Sequence, residues 1–141
     1  MKTLVCTVGL PRAGKSTWCV EMIAQGWIVI NPDSIRLALH GKSFDPRVEG
    51  LVWTIARTSI KALFLAGHDR VILDATSVNR KSRKDWYGLL PTVEVRFKVF
   101  NTSKEVCIQR ALANNQPDLI EVIERMSQKF QPLLPEEESF D

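Results

Sequence analysis

The segment Gly9-Leu10-Pro11-Arg12-Ala13-Gly14-Lys15-Ser16 fits the spacing G-x-x-x-x-G-K-[ST]. Each fixed position in that spacing has a physical task. Two glycines let the backbone curl so that successive N–H groups point inward at an anion, and the helix that follows presents its positive N-terminus to the same point. A lysine reaches the outer phosphates, and a hydroxyl beside it is a hard oxygen donor for Mg²⁺. The chemistry implied is the binding of a nucleoside triphosphate, ATP or another NTP, as its Mg²⁺ complex. Gly9, Arg12, Ala13, Gly14, Lys15, Ser16 and Thr17 are the candidate nucleotide contacts, with Ser16 as a metal ligand.

Three further polar segments carry candidate chemistry. In "INPDSIRLALHG", Asp33 can accept the proton of an attacking hydroxyl, and Arg36, one helical turn on, can hold an anionic group of the acceptor. The same residues fit a plainer role, with Asn31 or Asp33 capping a helix and Arg36 on the surface. In "VILDATSVNR", Asp74 at the end of an apolar run suits the carboxylate that orients Mg²⁺, and Thr76, Ser77 and Asn79 add hydroxyl and amide groups beside it. In "SKEVCIQRALANNQPD", Arg110 falls late in a helix, where a lid arginine would neutralise charge on transferring phosphate. A cation complementing a helix C-terminus is the commoner use of such a residue. Arg47, in "GKSFDPR", lies near the expected mouth of the acceptor site.

The elements needed to position these groups follow from the apolar pattern. Strands are expected at "KTLVCTVG", at 27–30, at 69–74 and at 93–100. Helices are expected at 15–25, from Asn31 to Gly41, from Asp45 to about Ala66, from Arg80 to Leu90, and at 103–113 and 118–130. In the long helix the expected core positions are Val48, Val52, Ile55, Ala56, Ser59 and Leu63. Alternating strands and helices predict an α/β fold, a P-loop NTPase three-layer sandwich with a mainly four-stranded parallel sheet flanked by helices. Ligands in such sheets bind at the carboxyl ends of the strands, which is where all four polar segments fall.

The bulk properties are consistent with one compact domain of 141 residues, 45% hydrophobic and 25% charged, with no apolar run long enough to span a membrane. The N-terminal apolar segment is too short for a signal peptide and runs straight into the glycine-rich loop, so the expected location is cytoplasmic. Cys6, Cys19 and Cys107 have no metal-type spacing and read as small buried hydrophobes. The net charge is +3, and residues 136–141 carry Glu136, Glu137, Glu138 and Asp141. The expected organisation is therefore a kinase domain over 1–135 followed by an acidic tail. The more basic body suits an anionic partner. "NRKSRKDWYG" places Arg80, Lys81, Arg83 and Lys84 beside Trp86 and Tyr87, either a phosphate-tracking patch with an aromatic for stacking or a solvated helix start with its aromatics in the core. Trp18 and Trp53 read as packing.

An N-K-x-D motif of the GTPase kind is absent, and motor and AAA-type ATPases use larger domains, so size and composition favour a kinase with a small or flexible acceptor. The four segments together resemble the 5′-kinase domain of phage-type polynucleotide kinases, within a wider group of small P-loop kinases. The resemblance rests on Gly9 to Trp18, on Asn31, Asp33 and Arg36, and on Asp74, Thr76 and Asn79, and it runs in order along nearly the whole chain. It implies that Asp33 is the base activating a polynucleotide 5′-hydroxyl, that Arg36 and Thr76 grip the adjacent acceptor phosphate, and that Arg110 is the lid residue on the ATP phosphates. Two positions depart from that pattern: Pro32 follows Asn31 where a basic residue is common, and Asn114 replaces a second lid arginine. The alternatives are a small-molecule kinase acting on a nucleoside, sugar or antibiotic hydroxyl, and a nucleotide-binding module without transfer. Sequence leaves the oligomeric state and the choice between RNA and DNA open.

Overall fold

A computed structural model describes all 141 residues. Strands β1 (Lys2–Val8), β2 (Ile28–Ile30), β3 (Arg70–Leu73) and β4 (Val93–Val99) form one sheet in the order β2-β3-β1-β4, with every pair parallel. β1 is central because it is apolar on both faces. Val5 faces Cys19, Met22 and Trp27, while Leu4, Cys6 and Val8 face Ile60, Phe64 and Phe97. Cys6, Cys19 and Cys107 are all buried free thiols.

Helix α1 (Lys15–Ala24) covers one face of the sheet. The other face takes α3 (Glu49–Leu65) through Val52, Ala56, Ile60 and Phe64. These four recur every four residues and are fully buried, so the core stripe of α3 includes Ile60 and Phe64, with Leu63 packed partly against it, in place of Val48, Ile55 and Ser59. The helix also starts later than Asp45, because the residue before Pro46 is turned away from helical geometry. Helix α2 (Pro32–His40) packs on α3 and closes at Gly41 with φ 71°. Helix α4 (Arg80–Lys84) is one short turn; the chain leaves it at Asp85 and makes turns up to β4, so no helix reaches Leu90. Helices α5 (Lys104–Ala113) and α6 (Asp118–Lys129) pack together over Leu10 and Ala13. No helix is long and apolar enough to cross a membrane.

The C-terminal residues are part of this body. The Phe97 amide donates to the Glu138 carbonyl at 2.9 Å and the Phe140 amide to the Phe97 carbonyl at 2.8 Å, which covers the outer edge of β4. Phe140 then stacks edge-on against Trp18 and Trp27. Glu137 is buried on Arg83, so residues 136–141 form a strap across the sheet edge rather than a free acidic tail.

Candidate active site

β1 delivers the chain to Gly9 and α1 takes it away at Lys15. The Gly9 amide donates to the Thr76 carbonyl at 2.9 Å, tying the loop to the segment after β3. A Cβ on Gly9 would lie 3.0 Å from the Phe100 Cβ and 3.3 Å from its carbonyl oxygen, so the first glycine is needed for close approach to the segment after β4 rather than for an unusual φ. Gly14 is the conformational glycine, at φ 103°, and Arg12 also stands in the left-handed region at φ 68°. After it, the amides of Lys15, Ser16 and Thr17 make no backbone hydrogen bond and form an unspent donor cluster at the start of α1. The Lys15 Nζ lies within the loop, donating to the carbonyls of Gly9 at 3.0 Å and Leu10 at 2.6 Å. Burial holds its pKa below the ordinary lysine value, against the pull of Asp74.

Asp74 stands at the end of β3, its amide bonded to the Ile30 carbonyl at 2.9 Å and its Oδ2 accepting from Ser16 Oγ at 3.3 Å and Asn31 Nδ2 at 3.4 Å. Burial raises its pKa, and the Lys15 ammonium and the Ser16 hydroxyl oppose that shift. A hydroxyl and a carboxylate oxygen in contact beside a lysine make a donor set suited to Mg²⁺, which takes few protein ligands and keeps its other positions for water and phosphate. No cluster of three or more His, Cys, Asp or Glu residues offers a fuller protein cage.

Asn31 caps α2, accepting from the Asp33 amide at 2.8 Å, and Pro32 takes the first helical turn, where no amide is needed. This leaves the Asp33 carboxylate 75% exposed. Arg36 Nη1 donates to Asp33 Oδ1 at 2.7 Å, while its Nε and Nη2 form a two-bond fork with Glu49 at 2.9 and 2.7 Å. That fork holds the Glu49 pKa below the ordinary glutamate range. Arg36 is thus a fixed, mostly buried cation beside an open carboxylate. Above the loop, Arg110 Nη1 donates to the Arg12 carbonyl at 3.0 Å, and Thr102 Oγ1 donates to the Ala13 carbonyl at 2.8 Å. A cleft of about 210 Å³ opens beside Gly9 and Leu10, walled by Phe100, Thr102 and Phe130. A larger hollow of about 470 Å³ lies by Met1 and residues 91–94, with none of these groups in it.

The model of a family described as an AAA domain (AAA_33) matches residues 4–133. The chain belongs to that family. This membership corrects the expectation, drawn from domain size, that set AAA-type proteins aside. A chain in the Pnkp1/Rnl/Hen1 complex is 31% identical with a TM-score of 0.70, the match covering 77% of this chain and 38% of that one. In a Pnkp1/Rnl/Hen1 RNA repair complex the figures are 24%, 0.71, 92% and 46%. The present chain therefore spans less than half the length of either. A gluconokinase from Sinorhizobium meliloti 1021 shares the fold at 16% identity and TM-score 0.63, over 95% of this chain and 78% of its own. The AAA_33 domain thus has a P-loop kinase fold.

Within this AAA_33 domain the structure brings together the residues from Gly9 to Thr17 with Asp74, Thr76 and Arg110, and separately pairs Asp33 with Arg36. Arg47 is not drawn into either group: it is largely exposed and its ion pair is with Asp45. Asn79 caps α4 by accepting from the Ser82 amide, and Asn114 caps α5 and donates to the Arg110 carbonyl at 2.8 Å. Arg83, expected among surface cations, is fully buried. Glu49 and Thr102 escaped the sequence reading. An acid in the first turn of α3 was the only signal for Glu49, and that position also suits simple dipole pairing.

Proposed function

We propose that the protein transfers the γ-phosphate of ATP to the 5′-hydroxyl of a polynucleotide. The observation that carries this reading is the Asp33–Arg36 pair at 2.7 Å, an exposed carboxylate with a fixed cation at its side. A hydroxyl acceptor with a phosphate next to the attacked oxygen is the substrate such a pair would recognise. Asp33 takes the proton of the 5′-hydroxyl, the oxygen attacks the γ-phosphorus in line, and the bond from the γ-phosphorus to the β,γ-bridging oxygen breaks. ADP and a 5′-phosphorylated end leave, with the proton on Asp33. The amides of Lys15, Ser16 and Thr17 and the Lys15 ammonium hold the phosphates. Arg110 shields their charge from above, and Arg36 with Thr76 holds the acceptor phosphate. Ser16 and Asp74 would hold Mg²⁺, which supplies charge neutralisation on the phosphates. The cleft beside Gly9 suits the nucleoside end of ATP. The relative from an RNA repair complex supports a polynucleotide acceptor.

A second reading, transfer to a small-molecule hydroxyl, is favoured by the shared fold of the gluconokinase, which matches over most of both chains. Incubation with γ-labelled ATP, Mg²⁺ and a 5′-hydroxyl oligonucleotide tests the choice, beside Asp33→Asn. Label is expected at the 5′ end, falling by about 10²–10⁴-fold in the variant. ATP binding with no label on DNA or RNA would give the acceptor to the small-molecule class, and ATP binding with no turnover on any hydroxyl would make the domain a binding module.

A further inference from the structure

We infer that one stripe of α3, from the Arg36–Glu49 pair past Trp53 and Arg57 to Lys61, is a track for the acceptor's single strand downstream of its 5′ end. The inference rests on the polynucleotide reading above. Residues 49, 53, 57 and 61 repeat every four positions and so lie along one side of the helix, over about 18 Å. At the site end, the Arg36 guanidinium sits 5.8 Å from the centre of the Trp53 ring. Trp53 in turn lies 6.5 Å from Trp86, and Arg57 lies 4.7 Å over Trp86 while donating to the Asp85 carbonyl at 2.9 Å.

Each member has a separate part. Trp86 is buried and serves as the wall that holds Arg57 in place. Trp53 is 37% exposed. Lys61 and Lys84 are exposed and form no ion pair, and Lys84 precedes the Asp85 carbonyl that anchors Arg57. Asp85, also exposed, is the acid next to Lys84 along the chain. An exposed indole followed by a line of cations that starts at the acceptor pair is the combination that binds single strands without reading sequence: bases stack on the ring and phosphates follow the cations. A surface for an acidic peptide would need the cations and not the indole.

The test compares a 5′-hydroxyl 12-mer with a nucleoside 3′-monophosphate as acceptors, and measures anisotropy of the same 12-mer labelled at its 3′ end. The 12-mer is expected to have the lower KM. Arg57, Lys61 and Lys84 should give its affinity a log–log salt slope of about −2, at about −0.7 each, besides the share of Arg36. Lys61→Ala/Lys84→Ala should remove about 1.4 of that slope and close the gap between the two KM values. Trp53→Ala should weaken 12-mer binding roughly tenfold, with Trp53→Phe restoring most of it. Equal KM values for the two acceptors, an unchanged salt slope in the lysine pair variant, or binding that ignores Trp53 and is matched by poly-glutamate would each overturn the track. Failure of the kinase reading has a different signature, with neither acceptor phosphorylated. Anisotropy then decides alone: strand binding that depends on Lys61, Lys84 and Trp53 upholds the track, and no binding overturns it.

Discussion

Arg83→Met tests whether the C-terminal strap is structural. The Arg83 side chain is fully buried and spends its donors on Glu137 Oε2 at 2.7 Å, Glu137 Oε1 at 3.3 Å, and the carbonyls of Ser77 and Gln131 at 2.8 Å each and of Pro132 at 3.2 Å. Replacing it with an apolar chain of similar length leaves the buried Glu137 carboxylate with only the Leu134 amide, at 2.9 Å. Breaking a buried pair from one side costs about 3–5 kcal/mol. Against a total stability of about 5–15 kcal/mol this is a large share, and it corresponds to a fall of roughly 10–15 °C in Tm. Urea denaturation reads it directly. Glu137→Gln, which keeps the shape and an acceptor, should lose only about 1–3 kcal/mol. Arg83→Met/Glu137→Leu should recover part of the loss. The pair also has a pH signature. Burial pushes the Glu137 pKa up, but the Arg83 hydrogen bond, the Leu134 amide and the nearby positive charges outweigh it and leave the net value below that of an ordinary glutamate. The stabilisation is therefore complete at neutral pH and is lost as pH falls through the folded-state value, a dependence that Arg83→Met should abolish. A loss under about 1 kcal/mol in Arg83→Met, with the acid dependence intact, would refute the reasoning.

Three other outcomes follow from the site. Glu49→Gln weakens the fork on Arg36, so the acceptor KM should rise about tenfold with the ATP KM unchanged, and equal changes in both would show that the fork is only structural. Asp74→Asn removes a carboxylate whose pKa is raised chiefly by burial, so the melting temperature in the absence of Mg²⁺ should hold or rise while transfer falls at least about 100-fold; a clear drop in Tm would contradict this. Gly9→Ala crowds the Phe100 Cβ and carbonyl oxygen, costing about 1–3 kcal/mol and weakening ATP binding measured by calorimetry, and an unchanged Tm and ATP affinity would contradict this.

What the sequence made legible was whatever is governed by spacing along one segment. The loop from Gly9 to Ser16, the order of strands and helices, and the position of Asp33 and Asp74 just after strands and of Arg110 late in α5 all follow from local pattern, and the parallel sheet follows from the alternation. What joins those segments is different in kind. The Gly9 amide meets the Thr76 carbonyl, the Asp74 amide the Ile30 carbonyl, Thr102 the Ala13 carbonyl and Arg110 the Arg12 carbonyl. Each receiving atom is a main-chain oxygen that every residue type possesses, so the contacts leave almost no mark on composition. Charge was misleading for the same reason. Arg83 and Glu137 are 54 positions apart and each sits in a run of its own sign, which reads as two solvated patches. Only the turn after α4 and the strap over β4 bring them together, and once joined they remove each other from solvent. The basic patch expected at 79–88 accordingly loses Arg83 to the interior and Trp86 to the core, while Arg57 and Trp53 arrive at its edge from a helix some thirty residues earlier, in a register that Val52 and Ala56 fix by facing inward. Spacing within a segment can say which residues share a helix face, but a second segment decides whether that face is open. At Trp53 it left the ring partly open.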